Sequence, residues 1–253
     1  MYIGIVNKES NMRTLTKFTS AVFIALASFS YTANATLILE WNSNSSSSNT
    51  PATGASAKAT LNFFDDMGLV RIDMVIRNTT GEIASFGDGA TTSKLTGIAF
   101  DLIEPNNGLN PANFTGGTFL TTMIIAADAQ PFGTLDFAAA DNSNFNGGNA
   151  NGALPEAMED SVSVKIGFNG LTALQVEAAF KAGFMDNSLN YVARFQQVNA
   201  GGGSDKLNGG DCCGDGGGNG GGPPTEVPEP SMLFLLGGAL LALSLRQKRL
   251  NNN

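Results

Sequence analysis

Six stretches in the centre of the chain alternate apolar and polar residues with a period of two, which is the pattern of half-buried β-strands. They are residues 59–64, 69–78, 94–102, 119–126, 161–168 and 190–198. In the clearest of them, Val70 and Ile72 face one way while Arg71 and Asp73 face the other. Turn-forming residues separate the stretches, so we expect short strands joined by polar loops.

A helical spacing of apolar residues occurs in the centre of the chain only from Thr172 to Phe184, where Leu174, Ala178 and Lys181 share one face. This helix is short, and we expect it to cap the surface of the domain. Many strands, polar turns and little helix favour an all-β fold. We predict an antiparallel, jelly-roll-like β-sandwich over residues 36–200.

The N-terminal region has the three parts of a secretory signal peptide. Residues 18–30 form an apolar run, and Arg13 and Lys17 supply positive charge before it. Ala33 and Ala35 place small residues at the −3 and −1 positions of a cleavage site. We therefore expect export by the Sec route and cleavage by signal peptidase after Ala35. An uncleaved membrane anchor and a buried core helix are the alternatives.

A second apolar run, residues 231–245, lies near the C-terminus. It is shorter than the about 20 apolar residues of an ordinary membrane-spanning helix. It can still span if the basic residues after it reach the far interface. These are Arg246, Lys248 and Arg249. Because basic residues mark the cytoplasmic side, we predict a transmembrane helix with the domain outside the cell.

A rigid proline motif precedes this run. Its residues are Val227, Pro228, Glu229 and Pro230. The two prolines fix φ and stop the helix from extending upstream, so we expect an extended, accessible peptide at the outer face of the membrane.

This motif, the apolar run containing Gly237 and Gly238, and the basic tip together resemble the PEP-CTERM sorting signal, here over residues 227–250. The resemblance implies an exported protein of a Gram-negative bacterium whose tail is recognised by an exosortase, a membrane protease-transpeptidase. It implies a precursor held transiently in the inner membrane and then delivered to the cell surface or extracellular matrix. A plain C-terminal anchor with an incidental proline loop is the alternative.

Glycine dominates residues 201–226, which we predict to be a linker between the domain and the tail. It contains the only two cysteines of the chain, Cys212 and Cys213. An intrachain disulfide between these adjacent residues can form, but it closes a strained ring and is therefore costly. A pair without a specific role, a crosslink between two chains, and a redox or metal function all stay open.

Charge excludes several classes of partner. Charged residues make up only 14% of the chain, against about 25% in ordinary soluble proteins. Eight basic and 21 acidic residues lie between the signal peptide and the basic tip, so this part carries a formal charge of about −13. Nucleic acid and anionic lipid are not expected as partners. The chain has no histidine, which excludes serine triads and histidine-ligated zinc.

No pattern of residues indicates catalysis, a cofactor or a metal site. The paired acids Asp65–Asp66 and Glu159–Asp160 could offer oxygen ligands, but such pairs beside strands are usually solvated turn residues. We therefore expect a non-catalytic protein that is structural or adhesive in an exopolysaccharide or biofilm matrix, with exopolysaccharide as its ligand. A carbohydrate-active enzyme using carboxylates alone and a calcium-dependent adhesin are the alternatives. Aromatic residues for a sugar platform are scarce, and Trp41, the only tryptophan, lies close to the predicted new N-terminus.

Overall fold

The computed structural model describes residues 35–104, 108–147 and 150–213. The strands in chain order are β1 (Ala35–Trp41), β2 (Ser46–Ser47), β3 (Ala57–Asp66), β4 (Leu69–Asn78), β5 (Lys94–Phe100), β6 (Phe114–Thr115), β7 (Thr122–Asp128), β8 (Thr134–Ala140), β9 (Leu154–Pro155), β10 (Glu159–Ile166), β11 (Tyr191–Gln196), β12 (Ser204–Asn208) and β13 (Asp211–Cys212). One α-helix, α1 (Ala173–Met185), lies between β10 and β11, and single 3-10 turns occupy Pro111–Asn113 and Ala150–Gly152.

The strands form two antiparallel sheets. The first has the order β13-β1-β3-β4-β10-β6, and the second has the order β2-β12-β11-β5-β8-β7, with β9 pairing with β5. The predicted all-β, two-sheet fold is thus confirmed. The jelly-roll detail is not reproduced, because β3–β4, β7–β8 and β11–β12 are hairpins of consecutive strands within one sheet rather than parts of a double Greek key.

The predicted strands match the observed ones where one face of the sheet is buried and the other is solvated. The stretch 69–78 is β4, and its residues alternate between buried and at least partly exposed along the whole strand. Two long strands, β1 and β8, were not predicted. In β8 four consecutive residues, 137–140, are buried, so the strand carries no alternation that the sequence could display.

Aromatic side chains from both sheets meet in the core between them. Phe100 of β5 and Phe137 of β8 pack with ring centroids 4.9 Å apart, and Phe63 of β3 approaches from the first sheet. Phe180 of the helix lies within 6.1 Å of Phe63, Phe100 and Phe168, measured between ring centroids. The helix therefore contributes an aromatic side chain to the core that both sheets share.

The helix α1 begins at a capping box and matches the predicted helix to within one residue at each end. The Thr172 hydroxyl accepts from the Gln175 amide, and the Gln175 side chain accepts from the Thr172 amide at 2.9 Å. Asp65, at the end of β3, accepts a further hydrogen bond from the Ala173 amide at 2.7 Å. The helix start is thus fixed both by its own sequence and by the first sheet.

The second sheet is covered on its outer face as well. A small apolar cluster there includes Ala99, Ala138 and Val192, with Phe145 from the following loop packed on them. Among the residues that the structure describes, no helix is long and apolar enough to cross a membrane. Residues 1–34 of the predicted signal peptide and the apolar run 231–245 lie outside the described residues.

Two positive side chains hold loops against this outer face. Arg194 and Lys206 are cross-strand neighbours on β11 and β12. Arg194 donates to the Thr96 hydroxyl at 3.2 Å and to the Asn146 carbonyl oxygen at 2.9 Å, while Lys206 donates to the Gln130 carbonyl oxygen at 2.6 Å. Burial lowers the pKa of Arg194, and burial together with the neighbouring guanidinium lowers the pKa of Lys206.

Candidate functional site

The predicted linker begins later than residue 201, because its first part is built into both sheets. β12 pairs with β11 and β2 in the second sheet, and β13 pairs with β1 in the first. Leu207 is fully buried, and Asp205 is 2% exposed. Glycine density alone therefore misplaced the boundary, since several of these glycines form turns of the domain. Residues 214–226 lie outside the described part of the chain.

Gly209 and Gly210 carry the chain across from one sheet to the other. The Gly209 amide donates to the Tyr191 carbonyl oxygen at 2.9 Å, which keeps the crossing close to β11. Gly210 has a φ of +134°, and a Cβ at this position would collide with the carbonyl oxygen of Glu40. Both the backbone conformation and the close approach to β1 thus require glycine at position 210.

The serine-rich loop after β1 packs over this crossing. The Asp211 carboxylate accepts hydrogen bonds from the side-chain amides of Asn42 at 2.8 Å and Asn44 at 2.9 Å. The Ser45 hydroxyl donates to the Gly209 carbonyl oxygen at 2.7 Å. This network joins the two ends of the described domain, and two of its residues, Gly209 and Asp211, lie in the segment predicted to be a linker.

A disulfide joins Cys212 and Cys213, the last two described residues. The Cys213 amide donates to the Ile38 carbonyl oxygen at 2.8 Å, and its Sγ lies 3.7 Å from the Lys181 carbonyl oxygen in α1. Both cysteines pack half-buried against the core. Because the two cysteines bond to each other, neither offers a free thiol for a crosslink between chains.

Trp41, the last residue of β1, is part of the hydrophobic core. It is fully buried, its indole N–H donates to the Tyr191 carbonyl oxygen at 3.2 Å, and its ring lies 5.5 Å from the Tyr191 ring. Burial, followed by the negative charges of Asp211 and Glu40, raises the pKa of the Tyr191 hydroxyl. The tryptophan therefore packs inside the domain and presents no surface to a sugar.

The two acid pairs that could have offered metal ligands each have other partners. Asp65 caps α1, and Asp66 pairs with Lys165 at 2.8 Å, which lowers the pKa of Asp66. Glu159 pairs with Arg77 at 3.1 Å. Asp160 is 6% exposed and accepts from three consecutive backbone amides, those of residues 118–120. The pairs do not converge on a common point.

Asp205 is a further buried acid, and sequence reasoning did not single it out. It accepts from the hydroxyls of Ser47, Ser48 and Thr53 and from the Thr53 amide, at distances from 2.8 to 3.1 Å. Its role is to hold the loops on both sides of β2. Within the ranges that the structure describes, no group of three or more acidic or cysteine residues is arranged to hold a metal ion.

Comparison with known families gives a match in the C-terminal tail. The family model described as the PEP-CTERM protein-sorting motif matches residues 226–249. The chain carries a PEP-CTERM sorting motif. This confirms the resemblance, and the match includes the proline motif, the apolar run and the basic tip. Neither the curated proteins nor the solved structures gave a match to the chain.

The PEP-CTERM motif indicates an exported protein that an exosortase processes. Its residues lie outside the described part of the structure, as do Ala33 and the other residues before Ala35 in the predicted signal peptide, whereas Ala35 is the first residue of β1. Within the described residues, the candidate functional site is therefore the edge of the first sheet, formed by β1, β13 and α1. There the domain ends and the chain continues towards the sorting motif.

Proposed function

We propose that this protein is a non-catalytic component of the cell surface or extracellular matrix, sorted by an exosortase through its PEP-CTERM tail. The sorting motif at residues 226–249 carries the proposal. A precursor held in the inner membrane by residues 231–245 is clipped near Pro230 and released outward. The β-sandwich then serves as a structural or adhesive module in an exopolysaccharide matrix.

The chemistry of the domain supports a binding or structural role. Asp160 and Asp205, its buried acids, accept several hydrogen bonds each from neighbouring loops and so hold the fold together. The low charge density and the many asparagine, serine and threonine residues offer neutral hydrogen-bonding groups, which suit hydroxyl-rich polymers. An acidic surface also limits binding to anionic surfaces.

The sorting part of the proposal is tested by the intact mass of the protein from producing cells and their medium, with and without the exosortase. We expect a chain that starts at Thr36 and ends between Val227 and Pro230, and we expect this species to disappear without the exosortase. A mature chain that retains Arg249 in both strains would contradict the proposal and indicate a permanent anchor.

The matrix part is tested separately with the polysaccharide of the producing organism. We expect the purified protein to bind this polymer and to leave its chain length unchanged on prolonged incubation. Release of oligosaccharides would instead establish a carbohydrate-active enzyme. A rise in melting temperature on adding calcium, together with calcium-dependent binding, would establish the calcium-dependent adhesin.

A further inference from the structure

The solvent-facing side of α1 is largely apolar, with the exposed Gln175 and the partly exposed Lys181 at its margins. Leu174, Ala178, Ala182 and Met185 follow one another along one exposed face of the helix. Leu174 is 51% exposed and Met185 is 64% exposed. The opposite side carries Phe180 into the core. A helix at the surface of a globular domain ordinarily shows charged residues outward, so this face is exposed without its usual polar cover.

Met67 extends this apolar surface beyond the helix. It lies at the tip of the β3–β4 hairpin and is 102% exposed. Asp65, two residues before it, binds the Ala173 amide in the first turn of α1, so the hairpin tip lies beside the start of the helix. We call Met67, Leu174, Ala178, Ala182 and Met185 the α1 surface.

The described chain ends at this same part of the domain. Cys213 contacts the Lys181 carbonyl oxygen in α1, and the apolar run of the sorting tail starts at residue 231. Fully extended, residues 214–230 span at most roughly 60 Å. A precursor whose apolar run is held in a membrane therefore keeps its domain within that distance of the lipid. Because such a tether raises the effective concentration of the domain at the membrane, a contact can form that would be too weak for a freely diffusing domain.

We propose that the α1 surface docks on the membrane surface while the sorting tail is in place, with Leu174, Met185 and Met67 entering the headgroup region. This inference rests on the membrane-held precursor of the proposed function. A zwitterionic lipid surface fits better than an anionic one, because the domain is acidic and the single basic residue of α1, Lys181, is matched by one acidic residue, Glu177. Cleavage of the tail removes the tether, and the contact is then too small to hold the released domain.

The test uses the full-length chain reconstituted into phosphatidylcholine vesicles. An environment-sensitive fluorophore is attached at Ala178→Cys, and a matched one at Met158→Cys. Met158 is 46% exposed and lies beside the Asn78 end of β4, opposite the hairpin tip. Lipids with a quencher in the headgroup region should quench the probe at position 178 at least about twofold more than the probe at 158. Leu174→Gln with Met185→Gln should abolish this difference, whereas Ile83→Gln, which changes a 41% exposed residue in the loop after β4, should not.

The outcomes separate this inference from the function on which it rests. If the chain floats with the vesicles but the two probes are quenched equally, docking is wrong while the anchored precursor stands. If the chain does not float at all, both are wrong. If the position-178 probes of two chains contact each other and are shielded from the lipid quencher, the α1 surface is an interface between copies, and docking on lipid is overturned.

Discussion

Gly210 shows how a single residue determines the crossing between the sheets. A Cβ there would meet the Glu40 carbonyl oxygen, and the φ of +134° is unfavourable for any other residue. We expect Gly210→Ala to lower the free energy of unfolding by more than about 2 kcal/mol. Gly209→Ala is the control, because Gly209 has a φ of +65° with open space around it, and should lose only about 1 kcal/mol. Chemical denaturation measures both variants. If both lost the same free energy of unfolding, the Cβ at position 210 would not collide with the Glu40 carbonyl oxygen.

Two glutamates should respond to pH in opposite directions. Burial raises the pKa of Glu177 above its usual 4.5, so its charged form weakens the fold at neutral pH. Hydrogen bonding to Arg77 lowers the pKa of Glu82, so its charged form stabilises the fold. We expect Glu177→Gln to stabilise the protein at about pH 7, with the gain fading as the pH falls through the raised pKa.

Glu82→Gln should destabilise the protein at neutral pH, and this loss should fade as the pH falls through 4.5 and then through the lowered pKa. Denaturation curves of both variants and the parent across this range provide the measurement. If both substitutions changed the free energy of unfolding in the same direction at neutral pH, the two carboxylates would not have the opposite effects on stability that we infer.

At the scale of elements, α1 is expected to act as one wall of the core. Phe180 contacts aromatic rings of both sheets, whereas Leu174 points to solvent. Phe180→Ala should cost about 3–5 kcal/mol, and Leu174→Ala should change the stability by no more than about 0.5 kcal/mol. Urea denaturation followed by circular dichroism measures both. Similar values for the two variants would mean that the helix is only loosely attached to the sheets.

The disulfide at the end of β13 leads to a prediction about the two cysteines. Because Cys212 and Cys213 bond to each other, the protein from an oxidising compartment should run as a monomer on a non-reducing gel. Under denaturing conditions, iodoacetamide should add no mass before reduction and two carbamidomethyl groups afterwards. A dimer that reduction separates would instead support a crosslink between chains.

The sequence predicts a strand most directly where its burial is one-sided. β4 and β10 alternate because one face packs in the core and the other meets solvent. β8 was missed because both its faces are covered, with Ala138 and Ala140 buried on the outer side, whereas β5 was predicted although Ala99 on its outer side is buried as well. Glycine in residues 201–213 was interpreted as flexibility, because composition alone cannot distinguish a glycine that turns the chain from one in a linker.

At the scale of the whole molecule, the candidate site was predicted where it consists of a linear motif and missed where it is three-dimensional. The proline motif and the basic tip are short linear segments within one stretch of 24 residues, so they can be recognised from the sequence alone. The α1 surface joins Met67 to residues more than a hundred positions later, and they are brought together by the packing of α1 on β3, which includes the hydrogen bond from the Ala173 amide to Asp65. No local pattern contains that information.

The basic tip should decide whether the whole molecule is sorted. Positive residues hold a membrane segment's end in the cytoplasm, so neutralising Arg246, Lys248 and Arg249 to glutamine should let the tail slip outward. We expect less membrane-held precursor and less clipped product, measured by fractionation and intact mass.

A variant with Lys58, Lys94 and Lys165 changed to glutamine removes the same charge from the domain instead. Because these lysines lie on strands far along the sequence from the sorting motif, this control should be sorted and clipped like the parent chain. If it failed to the same extent as the tip variant, net charge rather than the position of the basic residues would govern sorting. If neither variant changed the fraction clipped, the proline motif and apolar run alone would suffice for recognition.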